Sequence, residues 1–276
     1  MRLGLFLLTN AGVVMVLSMV LNVLGIGQGG DMLGLVLITS LFGMGGAFIS
    51  LMMSKSMALR GVGASVITKP KNEVERWLVE MVEKQAREAG IGMPDVAIFE
   101  SASPNAFATG ANKNSSLVAV STGLLKHMET KEVEAVMAHE ISHVANGDMV
   151  TLTLLQGVMN TFVMIFAHIL AAALDKGRRG MGYFIGYYIA QSVLGFLAAM
   201  VVMWFSRYRE FRADSGGGEL AGVDNMISAL EKLKVSPVSE SLPDSVDAFG
   251  ISGGIGQLLS SHPPLDKRIQ RLREQS

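Results

Sequence analysis

His139-Glu-Ile-Ser-His143 places two imidazoles four residues apart, with a carboxylate directly after the first. On a helix, positions i and i+4 share a face, so both rings can reach one metal ion. Glu140 is turned off that face and sits beside the ion. There it can take a proton from a water that attacks a peptide carbonyl. A polar helix with two unrelated histidines is the plain alternative. Against it, Thr130 offers an N-cap, Glu132 an acid in the first turn, and Val136, Met137 and Ile141 an apolar face that packs the motif. The chain has no cysteine, which excludes thiolate zinc sites, disulfides and iron–sulfur clusters.

A catalytic zinc takes three protein ligands and leaves a position open, and without Cys the third ligand is expected to be a carboxylate. Glu210, in Arg207-Tyr-Arg-Glu-Phe-Arg-Ala-Asp214, is the best candidate. Asp214 lies four residues on, on the same helical face, where it can accept a bond from the other nitrogen of a ligating imidazole. Glu132, Glu134 and Glu219 are rivals. The first two precede the histidines in their own helix, and Glu219 follows three glycines with no helical partner. Asp148 either orients a ligand or simply belongs to an Asn-Gly-Asp turn.

Something must carry the chain from His143 to Glu210 and back to the same side. Four stretches lack Asp, Glu, Lys and Arg: 3–30, 32–54, 149–174 and 180–206. Each exceeds the about 20 apolar residues that cross a bilayer as helix. Only 17% of the 276 residues are charged, against about 25% in soluble domains. Two apolar runs separate His143 from Glu210, and two crossings return the chain to its starting side. Lys55, Arg60, Lys69 and Lys71 after the second run, with Arg207, Arg209 and Arg212 after the fourth, put the intervening polar parts in the cytoplasm. Lys176, Arg178 and Arg179 pull the other way, so runs three and four form either a spanning hairpin or a re-entrant pair.

The expected division is a two-helix membrane anchor over 1–54 and a cytoplasmic part carrying the His pair over 55–148. A membrane hairpin over 149–206 and a cytoplasmic part with the third ligand and C-terminal helices over 207–276 complete it. The architecture is that of a mainly α membrane protein with four transmembrane helices, or two plus a hairpin, and a small α+β domain. Residues 72–89 read as an amphipathic helix with Asn72 and Glu75 as a capping box and Val74, Trp77, Leu78, Met81 and Val82 as its apolar face. Short strands are expected around 96–99, 106–108 and 117–120, and 235–254 reads as a loop. Gly43, Gly45 and Gly46 suit close helix packing, and His168 is expected to bond a neighbouring helix. Net charge −1 gives no reason to expect nucleic acid.

The sequence resembles the HtpX family of heat-shock membrane proteases, relatives of the CAAX prenyl-protein protease. The resemblance rests on His139 to His143, Glu210-Phe-Arg-Ala-Asp214, Asn105-Ala-Phe-Ala-Thr-Gly110, Val120-Ser-Thr-Gly-Leu-Leu125, Trp204-Phe-Ser-Arg207 and His262-Pro-Pro-Leu-Asp-Lys-Arg268. Arg212 departs from the family, where His is expected, and the loop at 175–182 is short. The resemblance implies a zincin-like metalloprotease with one Zn2+ per chain, embedded in a bacterial inner membrane with its site facing the cytoplasm. It implies membrane-protein quality control, with misfolded or damaged membrane proteins as substrates. It also makes Asn105, Ala106, Phe107 and Ala108 an edge strand that binds substrate. His262 is implied near the metal, or steadying an oxyanion, and Arg207 supporting Glu210 or polarising the substrate carbonyl. Cleavage within the bilayer and a scaffold with a degenerate metal site are the competing functions. Self-cleavage in 235–254 is a further expectation.

Overall fold

The computed structural model describes residues 32–175, 180–235 and 262–275. The first charge-free run, the basic residues 176–179 and the Ser/Pro/Gly-rich stretch beyond Val235 lie outside them. In chain order the elements are α1 (Met32–Gly61), β1 (Ser65–Val66), α2 (Glu73–Glu88), β2 (Asp95–Phe99), β3 (Ala106–Asn112), β4 (Ser115–Ser121) and α3 (Thr122–His127). They continue with α4 (Thr130–Asn146), α5 (Asp148–Leu174), α6 (Met181–Ala221), α7 (Val223–Val235) and α8 (Leu265–Arg273). Among the described residues, three helices are long and apolar enough to cross a membrane: α1, α5 and α6. The protein is thus mainly helical and multi-pass, with one small sheet.

The chain divides into two compact units. One comprises the residues up to Leu51 together with Val150–Val202; the other comprises Met52–Met149 and the residues from Met203 on. In the first unit α1 and α5 meet almost backbone to backbone. A Cβ on Gly43 would lie 2.5 Å from the Thr161 hydroxyl and 2.8 Å from its backbone nitrogen, while Gly45 and Gly46 face open space. Thr161 is fully buried and its hydroxyl donates to the Gly157 carbonyl, so it has nowhere to turn. His168 bonds its own helix, through Nδ1 and the Met164 carbonyl at 3.0 Å, rather than a neighbour; α6 instead gives it an edge-on Tyr187 ring.

The second unit is built on a four-stranded sheet of order β1-β2-β4-β3. β2 and β4 run parallel, and β3 returns antiparallel to β4 with Ala106 opposite Val120 and Phe107 opposite Ala119. That leaves β3 on an edge. α4 packs on the sheet through Val133, Val136, Met137 and Ile141, which share a core with Leu78 and Val82 of α2 and Leu230 of α7. The buried face of α2 is Leu78, Met81, Val82, Gln85 and Ala86. It keeps Leu78, Met81 and Val82 of the expected face, Trp77 packs against the same core, and Val74 is exposed. Asn72 does cap α2, accepting from the Glu75 amide at 2.8 Å. The cap of α4 is Glu129 rather than Thr130, because the Glu132 carboxylate reaches back to the Glu129 amide at 2.9 Å. Thr130 is therefore the first helical residue.

The Gly43 contact predicts opposite signs for two chemically equal changes. Gly43→Ala forces backbone apart and is expected to cost about 1–3 kcal/mol. Gly45→Ala meets nothing and is expected to stabilise by up to about 1 kcal/mol through helix propensity. Thermal unfolding of both variants in detergent checks the pair, and a common sign would contradict the helix contact described.

Candidate metal centre

α4 brings the two histidines to one buried face, 6% and 7% exposed, with their rings edge to face at 4.7 Å between centroids. The helix stops at Gly147, whose left-handed backbone (φ 73°) is open to glycine at little cost. α5 begins at the next residue. This abrupt turn swings the Asp148 carboxylate back onto His143 Nδ1 at 2.6 Å. Both readings of Asp148 meet here: the Asn-Gly-Asp turn is present, and it sets the carboxylate against His143.

α6 supplies the opposite wall. Glu210 and Asp214 lie on one face, 3% and 1% exposed. Glu210 Oε1 is 3.3 Å from His143 Nε2, and Oε2 is 3.5 Å from His139 Nε2. Asp214 Oδ1 stands 3.0 Å from His139 Nδ1, as its spacing from Glu210 suggested. Arg268, from α8, grips Asp214 with Nε and Nη2 at 2.8 and 2.6 Å and holds Nη1 3.5 Å from Glu210. Arg268 thus sets a cation beside Glu210 from α8. Arg207 itself is half-buried three residues ahead of Glu210. Buried Arg209 donates to the Asp148 carbonyl at 2.8 Å. His262 sits on the outer side, 61% exposed, with Nδ1 2.8 Å from Glu210 Oε2. Glu140 is half-buried beside the cluster. Of the rivals, Glu132 is spent on the α4 cap and on Ser228. Asn105 and the start of β3 are fastened to β4 by the Asn105 amide on the Ser121 hydroxyl at 2.9 Å.

Each imidazole turns Nδ1 to a carboxylate, so each Nε2 presents a lone pair to the space between. The two Nε2 atoms lie 3.1 Å apart, and Glu210 points its oxygens at the same spot. Three electron-pair donors facing one another in a buried volume repel unless a cation joins them. Glu210 meets the two Nε2 atoms through different oxygens, Oε1 at 3.3 Å and Oε2 at 3.5 Å, so all three residues lie within reach of one small ion with bonds of about 2.0–2.1 Å. The donor set therefore fits a small divalent ion, held by His139, His143 and Glu210. A proton is the other cation available. Burial alone would lower the proton affinity of His143, but Asp148 and Glu210 outweigh it and raise the pKa to about 10. His139 is raised in the same sense: burial opposes, and Asp214 and Glu210 prevail.

Arg268 closes the His262–Arg268 motif of the family resemblance, which gave it no role. The available signal was its place on the apolar side of a short amphipathic helix, beside Leu265, Ile269 and Leu272, where a cation requires a partner. Its partner lies 54 residues earlier, and sequence spacing is silent on that.

A family model for peptidase family M48 matches residues 72–276. The chain belongs to peptidase family M48. Within that family it is of the HtpX type. It is 53% identical over 283 residues to protease HtpX of Xanthomonas oryzae pv. oryzae (strain MAFF 311018), covering 99% of this chain and 97% of that one. To protease HtpX of Xanthomonas axonopodis pv. citri (strain 306) it is 52% identical over 286 residues, covering 100% and 98%. Among solved structures, Ste24p of S. mikatae shares the fold with a TM-score of 0.62 at 17% identity. That likeness covers 94% of this chain and 66% of the Ste24p chain. The protein is accordingly an M48 membrane metalloprotease with a His-His-Glu group suited to a metal ion.

Ligation requires neutral imidazole, so a metal entering this M48 site must expel the protons that the carboxylates hold there. With His143 raised to about 10, its proton stays on through neutral pH until the ion arrives. The expected outcome is release of about one proton or more per ion at pH 7. Apparent affinity should then rise about tenfold per pH unit for each proton expelled as pH climbs from 6 to 8. Calorimetry in buffers of differing ionisation enthalpy counts these protons, and a count of zero contradicts ligation by His143.

Proposed function

We propose that the chain is a zinc-dependent endoprotease of a bacterial inner membrane that cuts misfolded or damaged membrane proteins on the cytoplasmic side. The observation carrying this reading is that three donors converge on one point while Glu140, next to them, stays out of the triangle. A purely structural ion would use a closed donor set and would not need a half-buried carboxylate beside an open position.

His139, His143 and Glu210 hold one zinc per chain. When bound, the ion supplies Lewis acidity, making a water acidic enough to attack and polarising the scissile carbonyl. Glu140 takes the proton of the attacking water and passes it to the leaving amine. Asp148, bonded to His143 Nδ1, and Asp214, 3.0 Å from His139 Nδ1, favour the tautomers with Nε2 free toward the ion. In this reading His262, whose Nδ1 lies 2.8 Å from Glu210 Oε2, donates toward the oxyanion of the transition state, and Arg207 supports Glu210 from its own helix. The edge of β3 takes the substrate: Asn105, Ala106, Phe107 and Ala108 pair with β4 on one side, and an extended peptide adds as a strand on the other. Side-chain-tolerant backbone pairing suits unfolded substrates of varied sequence. By the same logic an unfolded stretch of another copy of this chain qualifies, so self-cleavage is part of the proposal.

Glu140→Gln keeps the ligands and removes the base. Zinc content should be unchanged, while cleavage of an unfolded protein substrate falls about 10²-fold or more. Loss of zinc together with activity would leave Glu140 without this role. Orientation is tested separately. The absence of cysteine makes Lys84→Cys, exposed on α2, a unique label site. A membrane-impermeant maleimide should reach it only after the cell membrane is opened. Labelling in intact spheroplasts would reverse the assigned side.

A further inference from the structure

Nine residues of C-terminal helix are fastened to the ligand-bearing part of α6 by more than their apolar face. Ile269 and Leu272, 6% and 2% exposed, seat α8 in the core. Arg268 binds Asp214 through a two-bond fork and stands beside Glu210. The Arg271 guanidinium lies over the Phe211 ring at 4.7 Å from its centroid. The Gln275 side chain accepts from the Ser215 hydroxyl at 2.8 Å. On the other side, Arg273 meets Glu231 of α7 at 2.7 Å. The contacts on α6 therefore fall on Glu210, Phe211, Asp214 and Ser215, a single stretch that contains one donor of the metal triangle and the carboxylate that orients another.

These contacts are unequal. The Arg273–Glu231 pair and the Phe211 contact are exposed and contribute little each. The Arg268–Asp214 fork is buried at both ends, 8% and 2% exposed. Removing its guanidinium takes from the buried Asp214 carboxylate the fork that fixes its orientation, and leaves it free to turn away from His139. Asp214 thus keeps its orientation only while α8 is docked. The converse follows from reciprocity: whatever fixes His139 and Glu210 from inside the site must also strengthen the hold on α8.

We propose that α8 is a clasp of the metal centre and Arg268 its positioning residue, so that metal binding and docking of the C-terminal helix reinforce each other. This rests on the metal-binding reading of His139, His143 and Glu210. A chain whose α8 is displaced would lose zinc without any change in the ligands themselves.

The test uses the full chain in detergent with Glu140→Gln, so that no cleavage intervenes. Zinc affinity is read by competition with a chelator, and hydrogen exchange of residues 265–273 is followed with zinc and with chelator. Zinc is expected to slow exchange in α8 about tenfold or more, and by more than in α2, which lies away from the site. Arg268→Lys keeps the charge and loses the fork. It is expected to bind zinc about 10- to 100-fold more weakly and to show a smaller zinc-dependent slowing in α8. Unchanged zinc affinity in Arg268→Lys overturns the proposal. So does a zinc-loaded parent whose α8 exchanges as fast as with chelator, a measurement that decides even where the variant fails to fold. A parent that binds no zinc at all removes the metal reading itself, an outcome distinct from either.

Discussion

Two imidazole nitrogens and a carboxylate that face one another in a space nearly closed to water cannot rest there without positive charge between them. Most of the polar architecture of the second unit follows from this. The rings must present lone pairs, so each Nδ1 needs a carboxylate, and Asp148 and Asp214 provide one each. Those carboxylates are buried in turn and need cations. Arg268 answers Asp214, and Arg209 answers the Asp148 end through its backbone carbonyl. Three buried carboxylates (Asp148, Glu210, Asp214) against two buried guanidiniums (Arg209, Arg268) leave one negative charge over. Half-buried Glu140 adds a second. A divalent ion balances the set, as does a proton on each histidine, and the facing carboxylates raise the proton affinity of both rings.

The same balance explains why the ligands come from elements distant in the chain. A tetrahedral site wants donors on different sides of the ion, and one helix can offer only one face. α4 gives the two histidines, α6 the carboxylate, and α8 the cation that keeps the carboxylate pair in order. β3 stays on the sheet edge, paired with β4 on one side among the described residues.

What the sequence revealed of this site follows the range of the interaction. His139, Glu140 and His143, and equally Glu210 with Asp214, are related by helical repeat, and one helix suffices to place each group. Bringing the two groups together needed only an even number of apolar runs between them. One cap moved by a position, Glu129 displacing Thr130, and Val74 fell outside the buried stripe of α2. These choices turn on side-chain reach, which spacing does not encode. Asp148 was readable only as one of two options, because its role depends on the left-handed turn at Gly147. Arg268 and Arg209 were beyond reach. Their partners lie 54 and 61 residues away, and a lone arginine on a helix gives no sign of which buried carboxylate it will meet.

Three consecutive glycines near the end of α6 belong to the same argument. In mid-helix each costs about 1 kcal/mol relative to alanine, and a helix whose only task was to continue would not carry Gly216, Gly217 and Gly218. A Cβ on Gly216 would fall 2.7 Å from the Ser142 hydroxyl and 3.1 Å from its Cβ; one on Gly217 would fall 3.1 Å from the backbone nitrogen of His139. Ser142 cannot easily yield, since its hydroxyl is bonded to the Ala138 carbonyl at 2.8 Å within α4. The bare stretch of α6 therefore sets how close the glutamate helix comes to the histidine helix, two turns beyond Glu210. Its lost helix propensity is offset where the two helices meet, because the glutamate and the two imidazoles stand 3.1 to 3.5 Å apart only while the helices stay this near. Closeness of two backbones is thus a ligand-geometry requirement carried by residues that hold no metal and touch no substrate.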